Sequence, residues 1–192
     1  MNEKIKLALI YGSNRENRFC DTVANWAIAQ ISKSDEFDLT TIDPAKMNLP
    51  RQIGKRSNAD LSDFRKRVRE ADAFMIVVPE YNHGYPAALK FLIDAEYEGW
   101  RAKPVSFVSY GGISGGIRAV EQLRQVFCEL HAATVRDSVH LPNAWRRFDE
   151  DGNLIEPQVP EKMFSDTVRQ LQWWANALRE ARKSEPYMVR TI

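Results

Sequence analysis

Apolar positions along the chain alternate between short strand-like runs and stripes spaced three and four residues apart. Ile5 to Tyr11 (IKLALIY) is an apolar run of strand length, and Phe19, Val23, Trp26, Ala27 and Ile31 follow it as a helical stripe. Phe37 to Pro44 (FDLTTIDP) alternates as a second strand should, and stops at a proline that has no N–H for a ladder. Met47 to Asn58 reads as loop. Asp60 to Asp72 is helical, with the charged run Arg65 to Glu70 as its solvated side. Ala73 to Pro79 (AFMIVVP) is the most continuous apolar strand candidate, the pattern of a strand buried on both faces. Pro86 to Trp100 returns to helix, with Pro86 suited to its first turn. Lys103 to Gly112 (KPVSFVSYGG) is a fourth strand ending in glycines, and Val120, Leu123, Phe127 and Leu130 form the next helical stripe. Thr134 to Pro142 supplies a fifth strand. After the turn-rich Arg146 to Asn153 (RRFDEDGN), a C-terminal helix turns Phe164, Val168, Leu171, Ala175 and Leu178 inward.

Strands that alternate with helices imply a parallel sheet covered on both faces, because parallel neighbours need right-handed crossover connections. The expectation is one α/β domain over residues 1–192, since single cores usually occupy about 100 to 200 residues. Ligands of such sheets bind outside the carboxyl ends of the strands, where chain order reverses. The strand ends to watch are therefore Gly12, Pro79 and Tyr110.

The first loop, Gly12 to Phe19 (GSNRENRF), lacks both the GxGxxG glycines of a dinucleotide site and the Gly-Lys-Ser/Thr ending of a P-loop. What remains is a helix N-terminus with Ser13, Asn14 and Asn17 as hydrogen-bonding side chains and Arg15 and Arg18 as charge partners. That suits a terminal phosphate monoester, and an ordinary capped helix with solvated arginines is the competing reading. The second loop, Pro79 to Pro86 (PEYNHGYP), offers backbone amides and the rings of Tyr81, His83 and Tyr85 to a planar heterocycle, or is simply a rigid turn with packed tyrosines. The third, Ser109 to Arg118 (SYGGISGGIR), has paired glycines that suit either a ligand wall or a tight turn. A flavodoxin-like strand order, 2-1-3-4-5, sets the first, third and fourth strands side by side, so one ligand reaches all three loops.

GSNRENR, PEYNHGYPAALKFLID and SYGGISGGIRAVEQLR resemble the NADPH-dependent FMN reductase family, which has a flavodoxin-like fold and includes quinone and azo-dye reductases. FDEDGN before the last helix is also typical of it. The resemblance implies a three-layer sandwich around a five-stranded sheet, FMN as cofactor, and NADPH or NADH as co-substrate. It places Ser13, Arg15, Asn17 and Arg18 on the phosphate loop, with Phe19 beside them where relatives often read Ser-Phe-Asn. Pro79, Glu80, Tyr81 and Asn82 match the loop along the isoalloxazine, and Ser109, Tyr110, Gly111 and Gly112 the loop closing its other side. The residue after PEYN, His83 here, varies in the family.

The implied reaction passes hydride from NAD(P)H through FMN to a quinone, azo compound, free flavin or similar small acceptor, by a ping-pong mechanism. The flavin carries the hydride chemistry, so no catalytic side chain is expected. The implied assembly is a homodimer or homotetramer. A flavodoxin-type electron carrier and a cofactor-free regulatory module are the alternatives. Against the carrier, 27 basic and 26 acidic residues give a net charge of +1, whereas carriers that dock basic partners tend to be strongly acidic. The same balance argues against nucleic acid or an anionic membrane as partner.

Cys20 and Cys128 form no disulfide framework or CxxC pair, which fits a reducing cytoplasm. The apolar run before Gly12 is too short for a signal peptide, and nothing approaches the roughly 18 apolar residues of a membrane span. Cys20 stands in the first helical turn, where the helix dipole lowers a thiol pKa, although packing is the stronger reading. His131 and His140 have no partner at metal-ligand spacing, so no metal is expected. Trp100 suits either the core or a subunit contact.

Overall fold

In the computed structural model, which describes residues 3–53 and 58–187, strands and helices alternate as β1 (Ile5–Tyr11), α1 (Cys20–Ile31), β2 (Phe37–Ile42), α2 (Ala59–Glu70), β3 (Ala73–Pro79), α3 (Ala87–Ala95), β4 (Pro104–Gly111), α4 (Ile117–Glu129), β5 (Ala133–Thr134), β6 (Val139–Pro142) and α5 (Gln158–Ser184). Residues 54–57 of the predicted loop lie outside the described residues. Among the described residues the six strands all pair in parallel, in the order β2-β1-β3-β4-β5, with β6 also paired to β4. This is the flavodoxin-like order. β1, β3 and β4 stand side by side, and their carboxyl ends open onto one edge.

Two apolar layers cover the sheet. Val23, Trp26, Ala27 and Ile31 of α1 join Phe164, Leu171 and Ala175 of α5 on one face, and α2, α3 and α4 cover the other. Every residue of β3 and β4 is buried, which accounts for the near-absence of polar alternation along them.

The fifth strand departs from expectation. The predicted run Thr134 to Pro142 breaks into β5 and β6, because Arg136 and Asp137 turn out of the ladder. Arg124 of α4 donates to the carbonyls of Val135 and Arg136 at 2.6 and 2.8 Å, and Gln170 of α5 holds Asp137. The third helix is also shorter than its apolar pattern: α3 ends at Ala95, and a separate 3₁₀ turn covers Glu98–Trp100.

Trp100 is a core residue, which removes it as a subunit contact. It is fully buried against Phe64, Phe74 and Phe127, and its indole N–H donates to the Glu96 carbonyl at 2.7 Å. Part of the charged side of α2 is likewise a docking face. Arg65 donates to the Ala95 carbonyl at 2.7 Å, and Arg69 pairs at 3.1 Å with Glu96, whose side chain is 2% exposed.

Candidate functional site

The chain leaves β1 pressed against its neighbour. The Gly12 amide donates to the Val77 carbonyl at 2.7 Å, and a β-carbon on Gly12 would lie 2.7 Å from that same oxygen. Ser13 is buried, and its hydroxyl meets the Tyr81 hydroxyl at 2.8 Å, tying the first loop to the second. Phe19 stands at the cap of α1 and supplies no side-chain hydrogen bond, leaving the first N–H groups of the helix without a side-chain cap, unlike α2, which Asn58 caps.

The two arginines of this loop have opposite fates. Arg18 is engaged on every side: it pairs with Asp43 at 2.6 Å and Asp21 at 2.8 Å and donates to the Ser13 carbonyl. Its side chain is 4% exposed and that of Asp43 7%. Burial alone would raise the Asp43 carboxyl, but the Arg18 guanidinium outweighs it and holds the group below the usual carboxylate range. Arg15 is exposed, stacks on the Tyr81 ring, and among the described residues makes no hydrogen bond or ion pair through its guanidinium. Stacking occupies the face of a guanidinium and leaves its in-plane donors free.

The second loop is a tight hairpin. Tyr81 and Gly84 exchange backbone hydrogen bonds at 2.9 and 3.1 Å, with Asn82 (φ 49°) and His83 (φ 73°) both left-handed between them, as a type I′ turn demands. The Glu80 carboxylate reaches the third loop, accepting from Ser114 at 2.7 Å and pairing with Arg118 at 2.6 Å. Its own amide donates to the Tyr110 carbonyl at 3.0 Å. In the third loop, Gly115 (φ 61°) and Gly116 (φ 87°) need glycine, since β-carbons there would lie 2.9 and 2.7 Å from Pro142 and Ser109. Gly112 is different. Its φ is not left-handed, and a β-carbon on it would meet only Trp145, at 3.9 Å.

The structure thus brings the three predicted loops together, and it also redistributes their residues. Arg18 and Glu80 tie loops. Ser109 turns its hydroxyl to Gly115 and His140, at 2.7 Å each. Tyr110 points into the core, with Phe19 packed against it, and only its backbone lines the loop. Phe19 also packs on Phe148. Asn17 takes a left-handed φ of 49°, which bends the loop into α1. Arg15, Tyr81, the Asn82 turn, Gly111 and Gly112 remain as the groups able to meet a ligand. Cys20 packs, as its stronger reading has it: burial pushes the thiol up to about 11, and its sulfur faces the Val77 carbonyl. Asp43 carried no signal in the sequence because it reaches Arg18 from beyond β2, and nothing local marked Ser114 and Arg118 of the third loop as the partners of Glu80. A cavity of about 640 Å³ lies elsewhere, between α4, β6 and α5. The cradle itself is identified by its donors and by the room above Gly112.

An uncommitted guanidinium beside an uncapped helix start fits a phosphate, and a glycine that neither fold nor backbone requires fits a flat ring lying over it. Over residues 5–146 the sequence matches one family, described as NADPH-dependent FMN reductase. The chain belongs to the NADPH-dependent FMN reductase family. It is therefore an FMN-using oxidoreductase. An NAD(P)H-dependent FMN reductase of Schizosaccharomyces pombe is 34% identical over 148 residues, covering 71% of this chain and 74% of the relative. An NAD(P)H:quinone oxidoreductase of Solanum tuberosum is 30% identical over 172 residues, covering 83% and 87%. The apo crystal structure of an NADH:FMN oxidoreductase superposes with a TM-score of 0.66 at 20% identity, covering 95% of this chain and 92% of that one, a likeness of fold. Among the described residues of this FMN reductase family member, no helix is long and apolar enough to cross a membrane.

Proposed function

We propose that the three loops hold FMN, with its phosphate at the start of α1 against Arg15 and its ring beside the Tyr81–Gly84 turn and Gly111–Gly112. The unequal engagement of the two arginines carries this reading: Arg18 fixes the loop and leaves Arg15 as the donor for a charged ligand. Bound FMN supplies hydride chemistry between NAD(P)H and a small oxidised acceptor of the quinone, azo or flavin kind. The protein binds and orients. Backbone amides of the second and third loops supply dipoles against negative charge at the site. The flavin and quinone acceptors agree with the names of the reductase relatives, and the exposed Trp145 beside Gly112 offers a flat apolar surface to such molecules.

We read residues 1–192 as one domain, supported by the contacts of α5 with β1, β4 and β6. Ile113, Ile117 and Trp145, exposed by 86%, 45% and 57% around the third loop, support a homodimer or homotetramer with the site near its boundary. The two cysteines are free, Cys20 buried and Cys128 exposed, which agrees with a reducing, cytoplasmic setting.

The test is reconstitution. Apo protein titrated with FMN should quench flavin fluorescence, and the loaded protein should consume NADPH when a quinone is added. Tight FMN binding without NAD(P)H consumption would leave an electron carrier. Absence of FMN binding would sink the assignment.

A further inference from the structure

Behind the third loop lies a chain of hydrogen bonds whose direction can be read from its end. Ser109 of β4 and His140 of β6 are register partners, so their side chains stand next to each other on one face of the sheet. The Ser109 hydroxyl is fully buried, 2.7 Å from the Gly115 carbonyl and 2.7 Å from His140 Nδ1. His140 Nε2 lies 2.8 Å from the Ser138 hydroxyl.

A hydroxyl has one proton, and a carbonyl only accepts. The Ser109 proton therefore goes to a carbonyl, that of Gly115 at 2.7 Å in preference to that of Val139 at 3.4 Å, and the Ser109 oxygen accepts from His140, which fixes the imidazole proton on Nδ1. Burial and the nearby Arg124 hold the imidazole below its ordinary range, with Glu121 a weaker opposing influence, so at neutral pH the ring carries no second proton. Its Nε2 then accepts from Ser138. Every member is satisfied in one sense only. Beyond Gly115 the line continues, because the Gly115 amide donates at 3.1 Å to the Gly112 carbonyl, which also receives the Asn143 amide at 2.9 Å.

We infer that His140, as its neutral Nδ1–H tautomer, is a positioning residue that locks Ser109 onto Gly115 and so sets where Gly112 meets the flavin. This rests on the FMN reading for its purpose, although the hydrogen bonds stand without it. Glu80 secures the same loop from the other side through Ser114, at 2.7 Å, so the glycine segment is held at both flanks. Loss of the His140 donor leaves a fully buried hydroxyl oxygen without its partner beside two left-handed glycines. The loop is then free to shift by the small distances that a stacked ring registers.

The test separates a donor at one ring position from mere bulk. His140→Asn places an amide N–H near the position of Nδ1, whereas His140→Gln places it near that of Nε2. Nitrogen NMR of the parent should show Nδ1 protonated at neutral pH, and Nε2 protonation would overturn the inference. In fluorescence titrations, His140→Asn should bind FMN within about threefold of the parent, while His140→Gln and Ser109→Ala each bind about tenfold more weakly. Amide exchange at Gly115 in the apo chain should be faster in His140→Gln than in His140→Asn. Equal FMN affinity and equal exchange for the two variants would reduce His140 to packing and overturn the proposal. If the parent itself binds no FMN, the flavin reading falls, and tautomer and exchange still decide this one.

Discussion

The guanidinium carbon of Arg15 lies 3.5 Å above the centre of the Tyr81 ring, so the residue with free donors on the first loop is seated on the second. Arg15→Ala should weaken FMN binding about ten- to a hundredfold, the worth of a charge-assisted hydrogen bond of roughly 1.5 to 3 kcal/mol. Riboflavin, which lacks the phosphate, should bind both proteins alike. Calorimetric titration with the two flavins checks this. Equal FMN affinity in Arg15→Ala would remove the phosphate from this loop.

For Arg18 the consequence is stability. Removing it leaves the buried Asp43 carboxylate only the Ala45 amide at 3.0 Å and the exposed Lys46 ammonium at 3.9 Å, and breaking a buried pair costs up to about 3 to 5 kcal/mol. Because the folded Asp43 pKa lies below its unfolded value, the pair stabilises above the ordinary carboxylate range and its contribution fades as pH falls. Urea unfolding should therefore show a large gap between parent and Arg18→Ala at neutral pH, narrowing toward about pH 3. A gap that stays constant on acidification would contradict the assignment.

The contrast between these arginines marks where the sequence stops being legible. β3 keeps the bounds Ala73–Pro79 that its apolar run announces, because burial on both faces leaves no polar position to blur them, and β1 keeps Ile5–Tyr11 with Lys6 as its one exposed position. The sheet order and the meeting of three loops follow from chain alternation. Which arginine is free does not, because Asp43 comes from the end of β2, and no local pattern couples it to Arg18. The break after β5 was hidden for the same reason, since it depends on Arg124 reaching the carbonyls of Val135 and Arg136. The direction of Tyr110 was readable, because strand alternation puts it on the face of Val108, which packs in the same core layer.

At Gly112 the chain leaves room for a side chain. Gly112→Val should melt close to the parent while binding FMN and riboflavin more weakly, since both carry the ring. Gly116→Ala should do the reverse in stability, because a left-handed φ of 87° and a contact at 2.7 Å with the Ser109 β-carbon both oppose it, at a cost of about 1 to 3 kcal/mol. Thermal melts alongside flavin titrations separate the two. Unchanged flavin affinity in Gly112→Val would show that this loop does not line the site.

Lys103 lies far from these loops, buried, with its ammonium donating to the last carbonyls of α2, Val68 at 2.8 Å and Arg69 at 2.7 Å. Burial, helped by Arg182, pulls it down to about 7 from 10.5. The unfolded chain thus binds the extra proton between those values, and stability should rise with pH across that window, by up to about 1.4 kcal/mol per unit. Below about 7 the full burial cost is present. Unfolding free energies measured across the window should show this slope in the parent and lose it in Lys103→Met. A flat parent profile would mean that the two carbonyls keep the ammonium charged.

The kinetic order follows from the number of places a planar substrate has to go. Phe19 and Tyr110 pack into the core below the loops and Trp100 is buried on the far layer, so none of them forms a second stacking position. If NAD(P)H and the acceptor use one open face in turn, double-reciprocal plots at several fixed acceptor concentrations should be parallel. Each substrate in excess should inhibit competitively against the other. Anaerobic NADPH alone should bleach the bound flavin, and a quinone added afterwards should restore the colour. Intersecting lines would mean that both molecules are held together. Trp145, 57% exposed beside Gly112, is then the surface on which the second must rest, and Trp145→Ala should raise the KM of the acceptor while leaving that of NADPH unchanged.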